Sequence, residues 1–183
     1  MKKALTLLFL SLLLVACGNG EEKENTIETL ELSKAEKYKP DGEFKDKKVI
    51  RKDFEIEFEK LEFPEGKNID DKNIKAASFE YSVKNKQDKK IYPSSAWITS
   101  IDVYQVINGK EKELKPTIMK DDRRIKDFPD THVEIKKGGK AKGFKTFELI
   151  DKTSPIIIVA KNSEYETIGA KKIELKEKKS NQI

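Results

Sequence analysis

Ala77-Ser78-Phe79-Glu80-Tyr81-Ser82-Val83-Lys84 decides the fold class of this chain. Ala77, Phe79, Tyr81 and Val83 recur at every second position and alternate with polar residues. That is the period of a strand with one face in a core and the other in water. Asn85-Lys86-Gln87-Asp88 follows with turn chemistry. Upstream, Phe54, Ile56 and Phe58 alternate with Glu55, Glu57 and Glu59, which predicts a second half-buried strand.

Working outward, a third strand is expected from Trp97 to Ile107. Asn108-Gly109 then supplies the dipeptide of a type I′ turn, whose central residues both need positive φ, and Glu111 to Leu114 pair back. Val133 and Ile135 lead into Lys137-Gly138-Gly139-Lys140, read as a further hairpin, with Phe144 to Leu149 as its return strand. Ile156-Ile157-Ile158-Val159-Ala160 is a continuous β-branched run, the mark of a strand covered on both faces, and Tyr165 to Leu175 closes the series. Seven to eight short strands without a long helix predict an all-β antiparallel sandwich over residues 47–176, followed by a charged tail at 177–183.

The pattern Ser78 to Asn85, then Val103-Tyr104-Gln105-Val106-Ile107-Asn108-Gly109-Lys110-Glu111-Lys112-Glu113-Leu114, resembles a family of Gram-positive lipoproteins with an immunoglobulin-like domain of unknown function. Lys136-Lys137-Gly138-Gly139, Phe147-Glu148-Leu149 and Ser154-Pro155-Ile156 extend the likeness, which runs from about Lys47 to Leu175. The resemblance implies a lipid-anchored, immunoglobulin-like β-sandwich and brings no functional residues with it. The chain lacks the cysteine pair that joins the two sheets of antibody domains, so packing alone must hold them. A strong preference for Lys, with Arg only at positions 51, 123 and 124, is in keeping with an AT-rich Gram-positive source.

The N-terminus reads as an address. Lys2 and Lys3 precede an apolar run from Ala4 to Val15. Twelve residues are too few for a spanning helix, which needs roughly 20, but they suit a signal peptide over residues 1–16. Leu14-Val15-Ala16-Cys17 looks like the lipobox of bacterial lipoproteins. That likeness implies cleavage between Ala16 and Cys17, with S-diacylglycerol and N-acyl (palmitate-type) modification of Cys17. As the only cysteine, Cys17 has no disulfide partner within the chain. Two or more acyl chains anchor stably where one does not, at ~0.8 kcal/mol per buried CH₂. Residues 17–46, charged and poor in aromatics, are expected to form a disordered tether, with a short helix between Thr26 and Tyr38 as the competing reading.

Charge excludes one class of partner. The formal net charge is +5, from 38 basic and 33 acidic residues, and it falls to +3 once Lys2 and Lys3 leave with the signal peptide. Lys and Glu are interleaved rather than segregated, so no nucleic acid partner is expected.

The residues of chemistry are sparse. His132, beside Thr131 and Asp130, is the only imidazole, which argues against a nucleophilic triad and against a zinc site. Asp121, Asp122, Asp127 and Asp130 are a candidate calcium loop, but their spacing does not fit an EF-hand; a salt-bridged loop with Arg123 and Arg124 is favoured. Asp70-Asp71-Lys72-Asn73 reads as a turn. Gly138, Gly139 and Gly143 lack the strand-to-helix setting of a nucleotide loop. Trp97, Tyr81, Tyr92 and Tyr104 are a candidate sugar- or protein-binding surface, with Trp97 favoured as a core residue.

No catalytic, cofactor or metal residues are therefore assigned. The expected function is a noncatalytic binding module of the cell envelope, anchored to the membrane's extracytoplasmic face through Cys17. It would recognise an envelope protein, a peptide or a wall polymer, using the loops 85–95 and 115–131. The alternatives are a small wall-associated hydrolase or inhibitor, and a passive or prophage-borne surface protein.

Overall fold

The computed structural model describes residues 27–30 by their backbone, and residues 41–128 and 132–175 in full. Cys17, the residues 1–16 read as a signal peptide and the expected tail 177–183 lie outside the described residues. In chain order the elements are β1 (Ile27–Leu30), β2 (Glu43–Lys45), β3 (Lys48–Ile50), β4 (Phe54–Glu62), β5 (Glu65–Lys67), β6 (Asn73–Asn85), α1 (Pro93–Ile98), β7 (Ile101–Ile107), β8 (Lys110–Glu113), α2 (Arg124–Asp127), β9 (Lys140–Glu148), β10 (Ile156–Lys161) and β11 (Thr167–Ile173).

They build two antiparallel sheets. One runs β1-β11-β10-β7-β8; the other runs β2-β3-β4-β6 and ends with β9 on the far side of β6. β5 pairs with the start of β6 on the β4 side, in the register that β4 leaves off. The chain passes from β6 to β7 in the opposite sheet, returns to pair β9 with β6, and crosses again to pair β10 with β7. β4-β6-β9 facing β8-β7-β10-β11 is a Greek-key, immunoglobulin-like order. The all-β sandwich read from the alternating stretches is therefore the fold.

Its core is centred on aromatic rings. Trp97 is 1 % exposed and meets the rings of Tyr81 at 4.8 Å, Phe79 at 5.5 Å, Phe58 at 5.6 Å and Phe147 at 6.1 Å. Strands of one sheet and the segment entering β7 are thus joined by ring contacts. Gly143, opposite Tyr81 in the β6–β9 pairing, gives that ring its room: a Cβ there would lie 2.8 Å from it.

Several expectations need correction. Trp97 does not begin a strand; Pro93 fixes the first turn of α1, and the strand starts only at Ile101. Thr99 Oγ1 and Ser100 Oγ donate back to the carbonyls of Ser95 and Ala96, which closes the helix before β7. The hairpin expected between Val133-Ile135 and Phe144 does not form. Ile135 makes an isolated bridge to Ile91, and β9 pairs with β6 instead. Asn108 and Gly109, at φ 52° and 73°, do form the predicted turn between β7 and β8.

The sandwich also begins earlier than Lys47. Two strands fall in the segment read as a tether: β2, whose Phe44 is 8 % exposed and lies 5.7 Å from the Phe58 ring, and β1, which adds to the edge of β11. Composition misses both, because one phenylalanine among charges suffices to dock β2. Over 27–30 the competing helix is a strand, and residues 31–38 lie outside the described residues. With β1, β2, β3 and β5 the strands among the described residues number eleven, rather than the expected seven to eight.

Candidate functional site

The strand directions give the sandwich two ends. Asn85, Ile101, Lys161 and Thr167 mark one; Glu62, Asn73, Ile107, Ile156 and Ile173 mark the other. At the first end the β3–β4 corner, the connection carrying α1, and the β10–β11 loop enclose a cleft of about 380 Å³. Arg51 is 5 % exposed and lies against its wall. Its Nε and Nη2 donate to the two carboxylate oxygens of Asp53 at 3.0 and 2.9 Å, Nη1 donates to the Thr99 carbonyl at 3.1 Å, and its guanidinium sits 4.4 Å from the Phe54 ring centroid. This bidentate, stacked arrangement is one that lysine does not reproduce.

Two asparagines shape the loops around the cleft. The Asn85 amide donates to the carbonyls of Lys89 and Ile135, while Asn162 Oδ1 accepts from the backbone N–H groups of Glu164 and Glu166. The second cage holds Tyr165 at φ 62°, a left-handed conformation that is uncommon and strained for a bulky residue. The residue is 68 % exposed at the mouth of the cleft. Tyr92, 38 % exposed, lines the same cleft and donates to Glu134 at 3.1 Å; Lys90 pairs with that carboxylate at 2.5 Å. The Lys90 ammonium, with the Tyr92 hydroxyl, holds Glu134 below the usual carboxylate range, and the carboxylate in turn raises both partners.

A second cleft, of about 320 Å³, lies at the other end between β5 and the segment 119–124. Arg124 is 5 % exposed there and donates to both oxygens of Asp122 at 2.8 Å and to Glu62 at 3.4 Å. The Asp122 side chain is only 4 % exposed. Its oxygens also accept from the Arg124 backbone N–H, so this aspartate fixes the start of α2.

With this architecture established, comparison with other proteins is informative. Residues 30–162 match the model of a domain of unknown function, DUF5067. The chain belongs to the DUF5067 family. No curated protein matches it. Among solved structures, a Staphylococcus aureus subsp. aureus NCTC 8325 protein taken to be a lipoprotein is 23% identical, with a TM-score of 0.63 over 74% of this chain and 92% of its own. An Enterococcus faecalis protein is 18% identical, with a TM-score of 0.58 over 74% and 94%. These likenesses show that the DUF5067 sandwich is a shared fold. The matched segment holds Arg51 and Tyr92 but ends before Ser163 and Tyr165, the part of the cleft that comes from the β10–β11 loop.

In this DUF5067 chain the residues singled out by sequence go to different places. Both loops read as a search area line a cleft, 87–96 at one end and 119–124 at the other. The tyrosine and tryptophan surface does not assemble. Trp97 and Tyr81 are core, and Tyr104 donates to Asp102 at 3.1 Å, its hydroxyl pushed up to about 12 by burial and that carboxylate. Of the four, Tyr92 lines one of these two clefts and the others line neither. Asp122 is occupied by Arg124, and among the described residues no three metal-ligating groups come together. Asp130 and Thr131 lie outside the described residues, and their neighbour His132 is exposed. Asp70 and Asp71 do sit in a turn, tied by Asn68 Oδ1, which accepts from the N–H groups of Asp70 and Lys72. Tyr165 was missed. Its signal was Asn162 followed by Glu164 and Glu166, an asparagine-capped loop able to hold the residue between them at positive φ.

Proposed function

We propose that the protein is a noncatalytic recognition module, lipid-tethered through Cys17 on the extracytoplasmic face of the cell membrane, and that it binds through the Arg51–Tyr92–Tyr165 cleft. The observation that carries this reading is Tyr165, a large aromatic side chain kept in a strained backbone and displayed at the rim of a cleft. Strain of this kind collects at binding sites and is held there by the surrounding structure.

The direction of the chain supports the tethered arrangement. β1 enters with Ile27 opposite Ile173, which in turn pairs with Ile156, at the end away from the cleft. Cys17 precedes Ile27 by ten residues, a reach of at most about 35 Å. An anchor at Cys17 would therefore hold the other end towards the bilayer and turn the cleft outward. The lipobox-like Leu14-Val15-Ala16-Cys17 and the fold shared with the S. aureus protein taken to be a lipoprotein favour such an anchor.

The chemistry of the cleft favours binding over turnover. Among the described residues its lining contains no histidine, and its one carboxylate, Asp53, is held by Arg51. A general base needs a free, positioned proton acceptor.

Retention tests the reading. The mature lipidated chain, immobilised in detergent, is expected to hold a component of a membrane and wall extract, and a Tyr92→Ala/Tyr165→Gly chain to release it. Equal retention by both chains would remove the cleft from the account. Labelled palmitate should enter the native chain and not Cys17→Ser; a Cys17→Ser chain that stayed labelled and membrane-bound would remove the anchor.

A further inference from the structure

We infer that the ligand of this cleft is a short stretch of hydroxyl-rich, anionic glycan; the inference rests on the recognition role proposed above and names its ligand class.

The backbone around the cleft is already engaged. Ile91 exchanges both hydrogen bonds with Ile135 at 3.2 and 2.7 Å, the Tyr92 carbonyl accepts from Ala96, and the Thr99 carbonyl accepts from Arg51. The carbonyls of Asp53 and Lys89 accept from the Lys86 N–H and the Asn85 amide. An extended peptide binds chiefly by adding its own main chain to an open strand edge, and among the described residues this cleft presents none. A ligand here has to be read by side chains.

The side chains suit sugars. Tyr92 and Tyr165 are exposed aromatic residues, of the kind whose rings pack against the C–H face of a pyranose, and each has a polar hydroxyl at its end. Among the described residues, the Gln87 amide and the Ser95 and Ser163 hydroxyls line the cleft without a side-chain hydrogen-bond partner, so they can exchange bonds with ligand hydroxyls. The cations Arg51, Lys89 and Lys90 stand against Asp53 and, bound to Lys90, Glu134. Among the lining residues and Glu134 one positive charge is left over, which favours an anionic sugar over a neutral one. A cleft of about 380 Å³ is at the small end of the roughly 300–1,000 Å³ typical of ligand sites, the size of a sugar unit or two rather than a folded partner.

The test titrates the mature lipidated chain in detergent with a hyaluronan tetrasaccharide, which alternates N-acetylglucosamine with glucuronate. A neutral N-acetylglucosamine tetramer and an acidic tetrapeptide serve as comparisons, with backbone amide shifts as the readout. The hyaluronan fragment is expected to move amides of 51–54, 87–99 and 162–166 only. Tyr165→Gly is expected to weaken it by about tenfold and the neutral tetramer to bind several-fold more weakly, while Ile125→Ala at the opposite end leaves binding unchanged. No shift with either sugar at millimolar concentration, or shifts that Tyr165→Gly leaves in place, would overturn the glycan assignment. If the peptide alone moved the same amides, the assignment would fall and the recognition role would stand. If these ligands moved nothing and the wall extract was not retained either, both would fall.

Discussion

Arg51 and Arg124 are each 5 % exposed, each hold an aspartate two positions away through two hydrogen bonds, and each lie over a phenylalanine ring, Phe54 at 4.4 Å and Phe144 at 6.0 Å. They stand at opposite ends of the sandwich. At Arg124 the charge is closed in: Asp122 is 4 % exposed, and Glu62 adds a second carboxylate. At Arg51 the aspartate is 26 % exposed, the third partner is a neutral carbonyl, and two exposed tyrosines line the same cleft. The same ion-pair device ties a loop to the sheet at both ends. What differs is the surroundings: one end is spent on structure, and the other keeps polar and aromatic side chains for a ligand.

That contrast can be broken in several ways. The largest effect is expected from Trp97→Ala, at about 4 kcal/mol of stability by urea unfolding. Because α1 carries Trp97 and part of the cleft wall, hydrogen exchange should quicken over 87–99 more than over 119–124. Equal quickening at both ends would mean that the ends are not independent. Next, Asp122→Ala should cost about 3 kcal/mol by leaving a buried arginine with its weaker partner. Asp53→Ala, nearer solvent, should cost about 1 to 2 kcal/mol by the same measurement, since water replaces part of the lost bond. Equal losses would erase the distinction between closed and open ends.

Smaller changes sharpen the account. The Tyr81 hydroxyl is buried without a hydrogen-bond partner among the described residues, and burial raises its pKa. Tyr81→Phe is expected to stabilise by about 1 kcal/mol, seen as a higher urea midpoint, because an unsatisfied buried group is removed. Tyr165→Gly should gain up to about 1 kcal/mol by relieving the positive φ, while binding weakens. A loss of stability there would indicate that the ring packs rather than waits. Asp151 accepts from the N–H and hydroxyl of Thr153 and from the Ser154 N–H, and these bonds hold its carboxyl below the ordinary range. Stability from a lowered carboxyl is present above the unfolded pKa and is lost as pH falls through the folded one. Asp151→Asn should therefore lower stability at neutral pH and flatten the acid limb of the unfolding profile below about pH 4.

The sequence made the sandwich legible because period-two alternation directly encodes which face is buried. Phe54, Ile56, Phe58, Phe79, Tyr81 and Val83 all reach the core. The polar side of the same strand was less transparent. Ser78 and Ser82 are as buried as the apolar face, Ser78 sharing a short hydrogen bond with Thr146 on β9. Lys171 was hidden as well: it faces inward opposite Ile158, with its ammonium 4.8 Å from the Phe44 ring, and burial lowers its pKa. Neither could be read from residue type, since each depends on what a distant strand brings over it. The candidate site was half legible. Loop length pointed to 85–95, but Arg51 and Tyr165 enter the same cleft from corners distant in the chain, where only the fold joins them.

The central claim is that the end bearing Arg51, Tyr92 and Tyr165 faces outward and does the recognising. A photo-crosslinking amino acid placed at Tyr165, and separately at Ile125 on the opposite end, tests it most directly in intact cells. The account predicts that position 165 captures an envelope component that excess hyaluronan fragment displaces, while position 125 captures none. Capture at 125 with none at 165 would contradict it.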